Sequence, residues 1–287
     1  ATAMAGKVLG SIQNLMKLVN HPYLIRKNQK EMEYGFEKCE SMFELLDEED
    51  KAYRGVNKPT RPFLSGKMYF VYKLLKELKP IGDRVVLISN WTSTLDVLEN
   101  MCAQNNWPVV RLDGTMGIKK RQKIVDQFND PHSMSFVFLL SSKAGGCGIN
   151  LIGANRLVMF DPDWNPANDK QAMARVWRDG QKKMCYIYRL FTTGTLEEKM
   201  YQRQILKDGL SSMLVKDQGD IEEGASVKET LSADQVRDLF NYKHDTLCDT
   251  LEMLKVPRCW PNIFGEANKE NAGDVPEYVS LFSLFYA

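Results

Sequence analysis

Short apolar segments alternate with amphipathic ones from residue 84 onwards, and this alternation constrains the fold more than any other feature of the chain. The apolar segments are predicted strands, at Arg84–Ser89, Val109–Leu112, Phe136–Leu140, Leu157–Phe160 and Tyr186–Phe191. Helical spacing of apolar residues predicts helices to about Asn105 and over 117–129, 166–178 and 195–207. Wholly apolar strands that alternate with helices form a parallel sheet covered on both faces. The sequence therefore predicts an α/β fold, a parallel sheet sandwiched by helices.

The segments that flank this alternation predict helical additions at both ends. Residues 7–27 show helical spacing until His21-Pro22 ends the pattern, and Lys67–Lys79 resumes a helix. Towards the C-terminus, residues 216–230 are polar and residues 231–260 predict one or two helices. We predict three parts: a helical segment with a surface insertion over 1–80, the sheet domain over 81–215, and a helical extension and tail over 216–287.

Composition excludes several classes of protein. With 44% hydrophobic and 26% charged residues among 287, the chain is typical of soluble globular proteins. The net charge is only +1, so a nucleic-acid site would have to be a local patch. The six cysteines show no C-x-x-C spacing, so neither disulfides nor a metal site is expected. No signal peptide opens the chain, which favours a reducing compartment.

Ligands of parallel α/β sheets bind beyond the carboxyl ends of the strands, which directs attention to the loops there. The loop after Leu140 contains three glycines, Gly145, Gly146 and Gly148, which would let backbone amides approach a phosphate. Ser142 and Lys143 add a hydroxyl and a charge to this loop. Its spacing is not that of a Walker loop, and an ordinary glycine turn remains the alternative. Ser65-Gly-Lys-Met68 also lacks the upstream glycine of a phosphate loop.

The other loops at this edge carry polar and aromatic residues. After Leu112, Asp113–Gly117 contains Gly114 and Thr115, and Thr115 is a candidate helix cap. The following lysines and arginine are either phosphate contacts or a solvated helix face; they are Lys119, Lys120, Arg121 and Lys123. Asn90 and Trp91 follow the first strand, where we expect hydroxyls and the indole to face one rim. Trp164, after Phe160, is either exposed at this edge or part of the core.

Arg175 and Arg178 are three residues apart in the helix predicted over 166–178, so we expect them on one face. The Asp179-Gly180 pair predicts the end of that helix. Two guanidinium groups on one face suit the charge of a transferring phosphoryl group. The alternative is a solvated basic helix end, where the helix dipole favours cations.

Together these segments resemble the second RecA-like lobe of the Swi/Snf family of DNA-translocating ATPases. The resemblance rests on motifs in the family's order: Val86–Trp91, Arg111–Thr115, Ser142–Leu151, Asp161–Pro166 and Gln171–Gln181. Asn20–Ile25 and Gly194–Gln204 also fit the family. Within it, Ser141–Lys183, Ser232–Phe240 and Cys248–Thr250 are most similar to members that act in homologous recombination.

The resemblance implies that ATP binds between two lobes and that this chain supplies the second. Arg175 and Arg178 would be catalytic arginine fingers, and Gln171, Gly146, Gly148 and Asn150 would contact the nucleotide. A larger set would hold duplex DNA: Ser89, Asn90, Trp91, Gly114, Thr115, Ser142, Lys143 and Trp164. A zinc site is not expected, because His244, Cys248 and Cys259 cannot fill four ligand positions.

The same resemblance implies the cofactors ATP and Mg²⁺, with the magnesium ligands in the first lobe. That lobe's phosphate-binding lysine loop and Asp-Glu-x-His box have no counterpart here, so the chain alone is expected not to hydrolyse ATP. The implied partners are double-stranded DNA, the first lobe and a recombinase filament, in the nucleus. Alternative functions are the motor lobe of a nucleosome remodeller and a non-catalytic DNA-binding module; an RNA helicase lobe fits the Asp161–Pro166 loop less well.

Overall fold

The computed structural model describes residues 2–26, 41, 43–44, 60–114, 116–146, 148–216 and 233–254. Within these residues five parallel strands form one sheet in the order β2-β3-β1-β4-β5. The strands are β1 Val85–Ser89, β2 Val109–Leu112, β3 Val137–Ser141, β4 Arg156–Met159 and β5 Tyr186–Arg189. The central strand β1 is buried along its whole length and pairs with β3 and β4.

Helices cover both faces of the sheet because alternate residues of each strand point to opposite sides. On one face Val85 and Leu87 pack with helices α2 (Gly66–Ile81) and α3 (Thr92–Gln104). On the other face Val86 and Ile88 pack with α4 (Ile118–Asn129) and α5 (Pro166–Met173). The predicted fold class, a RecA-like parallel sheet sandwiched by helices, is confirmed.

The additions at the two ends of the described chain pack against each other. They comprise α1 (Thr2–Asn20), a 3₁₀ turn (Pro22–Ile25), α6 (Leu196–Lys216), α7 (Ala233–Leu239) and α8 (Asp249–Leu254). Ile12 and Met16 of α1 form a buried cluster with Leu196 and Met200 of α6 and with Leu239. No helix among the described residues is long and apolar enough to cross a membrane. The predicted domain boundaries stay a prediction.

Two predicted helices were wrong at their C-terminal ends, and the one predicted over 195–207 extends to Lys216. The helix predicted over 166–178 ends at Met173, and residues 174–180 continue as turns. Leu151 N donates to Arg175 O at 2.9 Å, and Val176 is fully buried in the core beside the glycine-rich loop. These tertiary contacts replace the next helical turn. The polar segment 217–230 and the tail from 255 lie outside the described residues.

Candidate functional site

Asp161, two residues after the end of β4, is the main hydrogen-bond acceptor at the carboxyl edge of the sheet. Its side chain is 1% exposed and accepts hydrogen bonds from Ser89 Oγ at 2.5 Å, from Asn90 N at 2.8 Å and from Asn20 Nδ2 at 2.9 Å. A buried carboxylate needs such donors because burial removes its hydration. Asp161 thereby fixes the end of β1 relative to the end of β4 and to the last residue of α1.

Asn90 connects three neighbouring loops at this edge. Its Oδ1 accepts a hydrogen bond from Ser142 Oγ at 2.5 Å, and its Nδ2 donates to Pro162 O at 3.1 Å. The structure therefore brings together Ser89, Asn90 and Ser142, which the sequence placed after separate strands. Lys143 is exposed beside Ser142, and Trp164 is 43% exposed in the loop after Asp161.

One of the other predicted residues differs from expectation. Trp91 packs against the cluster of α1 and α6, with Lys17 Nζ 5.4 Å from the centre of its ring, instead of facing the open rim. Thr115 lies outside the described residues, and the N-cap of α4 is Gly117, which offers no side chain. The prediction that Thr115 caps this helix stays a prediction. Gly114 is exposed, as are Lys119, Lys120 and Lys123 on α4.

Residues 174–180, which contain Arg175 and Arg178 and are called the arginine segment here, are held against the glycine-rich loop. Arg178 is exposed, and its Nη1 donates to Gly148 O at 3.0 Å. Gly148 has a φ of +33°, a conformation that glycine adopts readily. Arg175 is only 8% exposed, so the two arginines do not share an open helical face as predicted. Of the pair, Arg178 is the guanidinium that a ligand reaches from solvent.

Gln181 holds the same segment from its other end. Its Nε2 donates to Ala154 O at 2.8 Å and to Val176 O at 3.2 Å, and its Oε1 accepts from Lys183 N. Asn150 lies on the loop that the segment touches, and its side-chain Oδ1 is buried without a hydrogen-bond partner among the described residues. Gln171 is exposed on α5.

The donor set at this edge fits a nucleotide phosphate. An exposed guanidinium that touches a glycine turn offers the charge and the close backbone approach that a phosphate requires. Among the described residues, no group of three His, Cys, Asp or Glu side chains could hold a metal ion.

The sequence reasoning missed a buried polar network beneath this edge. Lys67 Nζ donates to Asn20 Oδ1 at 2.6 Å, to Phe160 O at 3.0 Å and to Glu197 Oε1 at 2.5 Å. Burial raises the pKa of Glu197, and the Lys67 charge opposes that shift. A signal was present, because Lys67 is in helical register with the buried Val71 and Leu75. The adjacent Ser65 is an N-cap that accepts from Met68 N.

A second missed cluster supports the loop that carries Trp164. Asp169 accepts hydrogen bonds from Asp163 N, from Gln204 Nε2 at 2.9 Å and from Arg189 Nη2 at 3.0 Å. Burial raises the pKa of Asp169, while the bond from Gln204 and the charge of Arg189 act against the rise. The cluster joins α5, β5 and α6, elements too distant in sequence for any local pattern to connect.

The helicase conserved C-terminal domain matches residues 66–180, which includes α2, the sheet through β4 and the arginine segment. A RAD54-like DNA repair and recombination protein of Gallus gallus is 52% identical over 252 residues, 88% of this chain. Residues 66–180 therefore match a helicase C-terminal domain, and most of the chain is similar to RAD54-like proteins. The corresponding protein of Homo sapiens is 51% identical over 89% of the chain, and RAD54 of Oryza sativa is 49% identical over 88%.

The chain spans about a third of the length of the RAD54-like relatives, 32% in both Gallus gallus and Homo sapiens. Among solved structures, the C-terminal part of the Fun30 ATPase domain is 30% identical with a TM-score of 0.49, covering 65% of this chain and 64% of that one. The relatives that share about half of their residues with this chain are named for DNA repair and recombination.

Proposed function

We propose that this chain is the C-terminal motor lobe of an ATP-dependent double-stranded-DNA translocase that acts in homologous recombination and DNA repair. The observation that carries the proposal is the exposed Arg178 guanidinium held on the glycine-rich loop by its bond to Gly148 O. Sequence identity of about one half to RAD54-like proteins, over most of the chain, supports the same assignment.

The nucleotide side is formed by the arginine segment and the loop beneath it. ATP and Mg²⁺ would bind between this lobe and a first RecA-like lobe, where the terminal phosphoryl group would pass to water and ADP would leave. Arg178 stabilises the charge on that group, a role in which arginine fingers contribute roughly 10³–10⁵ in rate. The buried Arg175 is the second arginine finger. The nucleotide contacts are made by Gln171, Gly146, Gly148 and Asn150.

The DNA side is the edge formed by the loops after β1, β2, β3 and β4. Asn90, Ser142, Lys143, Gly114, Thr115 and Trp164 contact phosphates and sugars of one duplex backbone. Such contacts carry no base information, so binding is independent of sequence and sensitive to salt. The network of Asp161 and Asn90 keeps the loops after β1, β3 and β4 in one register with respect to the sheet. The whole protein acts in the nucleus with a recombinase filament as its partner.

The test of the arginine assignment is Arg178→Ala in the complete two-lobed protein, with Lys182→Ala as the matched loss of an exposed charge. DNA-stimulated ATP hydrolysis should fall by about 10³ in Arg178→Ala. Duplex affinity and melting temperature should be unchanged, because Arg178 is exposed and lies on the nucleotide side. Unaltered hydrolysis in this variant would remove the arginine-finger role.

A second measurement tests the division of labour between lobes. The 287-residue chain alone should not turn over ATP with or without duplex DNA. Turnover that DNA stimulates and Arg178→Ala abolishes would mean that the chain holds a complete site. In the complete protein, joint-molecule migration with a recombinase tests the recombination role; nucleosome sliding without an effect on the recombinase would favour a remodeller instead.

A further inference from the structure

Arg121, in the first turns of α4, bridges two of the loops at the carboxyl edge. Its Nε donates to Met116 O at 2.8 Å, and its Nη2 reaches Gly114 O at 3.5 Å, both in the loop after β2. Its Nη1 donates to Ala144 O at 3.4 Å, in the glycine-rich loop after β3. One side chain thus contacts backbone carbonyls of both loops.

We propose that Arg121 is a positioning residue that sets the spacing between these two loops, so that their phosphate contacts fit one DNA backbone. The inference rests on the proposed function, because Gly114 and Thr115 lie on the first loop and Ser142 and Lys143 on the second. Arg121 itself does not contact DNA.

The order of the sheet supports this role. Arg121 connects the loops of β2 and β3, and Asn90 connects the loop of β3 to those of β1 and β4. The strands lie side by side in the order β2-β3-β1-β4. The two side chains together therefore connect the four loops that are neighbours along this edge of the sheet. Arg121 thus supplies a side-chain connection between the loop of β2 and the loop of β3.

The chemistry of the guanidinium explains why an arginine stands here. Its planar fork presents rigid donors in several directions, whereas a lysine ammonium is a single point on a flexible stem. Lys119, Lys120 and Lys123 on the same helix are exposed instead. Three of the five N–H donors of the Arg121 guanidinium face backbone carbonyls of the two loops.

Salt dependence separates positioning from direct contact. Each phosphate that a side chain neutralises adds about 0.9 to the slope of log affinity against log salt. Removal of a direct contact therefore reduces the magnitude of the slope by about 1. Removal of a positioning residue instead weakens binding at every salt concentration and leaves the slope nearly unchanged.

The experiment measures duplex binding by fluorescence anisotropy across a salt series, using the 287-residue chain. The variants are Arg121→Lys, which keeps the charge, Arg121→Met, which removes it, and the control Lys123→Met, which removes a neighbouring charge. We expect both Arg121 variants to bind about 10-fold more weakly with an unchanged slope, a loss of about 1.4 kcal/mol. Hydrogen exchange should become faster in the loops at 113–117 and 142–146 and stay unchanged in β1 and β3.

Several results would overturn the inference. These are native affinity in Arg121→Lys, a slope reduced by about 1 in Arg121→Met, an equal loss in Lys123→Met, and unaltered hydrogen exchange in the two loops. If the unsubstituted chain does not bind duplex at the lowest salt, the proposed DNA surface fails instead. In that case the hydrogen-exchange comparison still decides whether Arg121 holds the loops.

Discussion

Lys67 Nζ and Glu197 Oε1 form an ion pair at 2.5 Å in which the lysine is 6% exposed and the glutamate is fully buried. The pair connects α2 to the first turn of α6. All three donors of the ammonium are used, since Asn20 Oδ1 and Phe160 O accept the other two. The remaining glutamate oxygen accepts from Thr192 N at 2.9 Å. Such complete pairing is what allows two charges to be buried.

The first prediction is that Lys67→Met destabilises the protein by about 3–5 kcal/mol, because Glu197 is left as a buried carboxylate without a cation. The free energy of unfolding is measured in urea at neutral pH, with Lys76→Met, an exposed lysine of the same helix, as the control. The loss should shrink as pH falls, because Glu197 can then bind a proton. A loss equal to that of Lys76→Met would contradict the interpretation of the pair.

The second prediction concerns His21, which ends α1. Its Nδ1 accepts from Tyr23 N and its Nε2 lies 3.2 Å from Arg61 O, so the ring is neutral with its proton on Nε2. Burial lowers the pKa of His21 below its ordinary value, while the bond to Arg61 O opposes that shift. The contribution to stability is therefore present above about pH 6.5 and is lost as pH falls through the folded-state pKa.

The measurement is the free energy of unfolding between about pH 7 and pH 5 for the native chain, His21→Gln and the exposed-histidine control His132→Gln. His21→Gln should lose about 1 kcal/mol at pH 7 from its weakened hydrogen bonds. It should also show a shallower decline with pH than the native chain, while His132→Gln declines like the native chain. Equal declines in all three would show that His21 does not titrate differently on folding.

The sequence predicted the sheet well because its signal is local. Val109–Leu112 was predicted with the observed bounds, and the contact between Asn90 and Ser142 follows the rule that parallel strands end at one edge. The C-terminal end of α5 was not predictable from periodicity, because Ala172 and Val176 keep helical spacing although the helix has ended. The bonds of Lys67 and Arg121 were missed because their partners are set by tertiary structure.

The third prediction concerns Gly153, in the loop between the glycine-rich turn and β4. An added Cβ would lie 2.6 Å from Phe128 O and 2.9 Å from Asn129 Cα, both backbone atoms that cannot move aside cheaply. Gly153→Ala should therefore destabilise the protein by about 1–3 kcal/mol. Gly66→Ala, where nothing lies within 4 Å of the added Cβ, is the control and should cause no loss. A native unfolding midpoint in Gly153→Ala would mean that α4 and this loop can separate.

The fourth prediction is that Gln181 determines the position of the arginine segment. Its Nε2 donates to the carbonyls of Ile152 and Ala154, in the loop before β4, and to the carbonyl of Val176, in the arginine segment. Gln181→Leu leaves these acceptors without their donor and should cost about 1–3 kcal/mol. Gln181→Glu has nearly the same shape, but at pH 8 its carboxylate oxygen faces three carbonyl oxygens that it cannot donate to. It should therefore lower the free energy of unfolding more than Gln181→Leu does.

The two variants and the exposed control Lys182→Met are compared by urea unfolding and, in the complete protein, by DNA-stimulated ATP turnover. Turnover should fall in both Gln181 variants because the arginine segment is no longer held against the loop that Arg178 contacts. Lowering the pH should restore stability to Gln181→Glu, since its protonated carboxyl regains a donor, and leave Gln181→Leu unchanged. If Gln181→Glu is as stable as the native protein at pH 8, the three carbonyls do not depend on the amide, and the segment must be held by the buried Val176 instead.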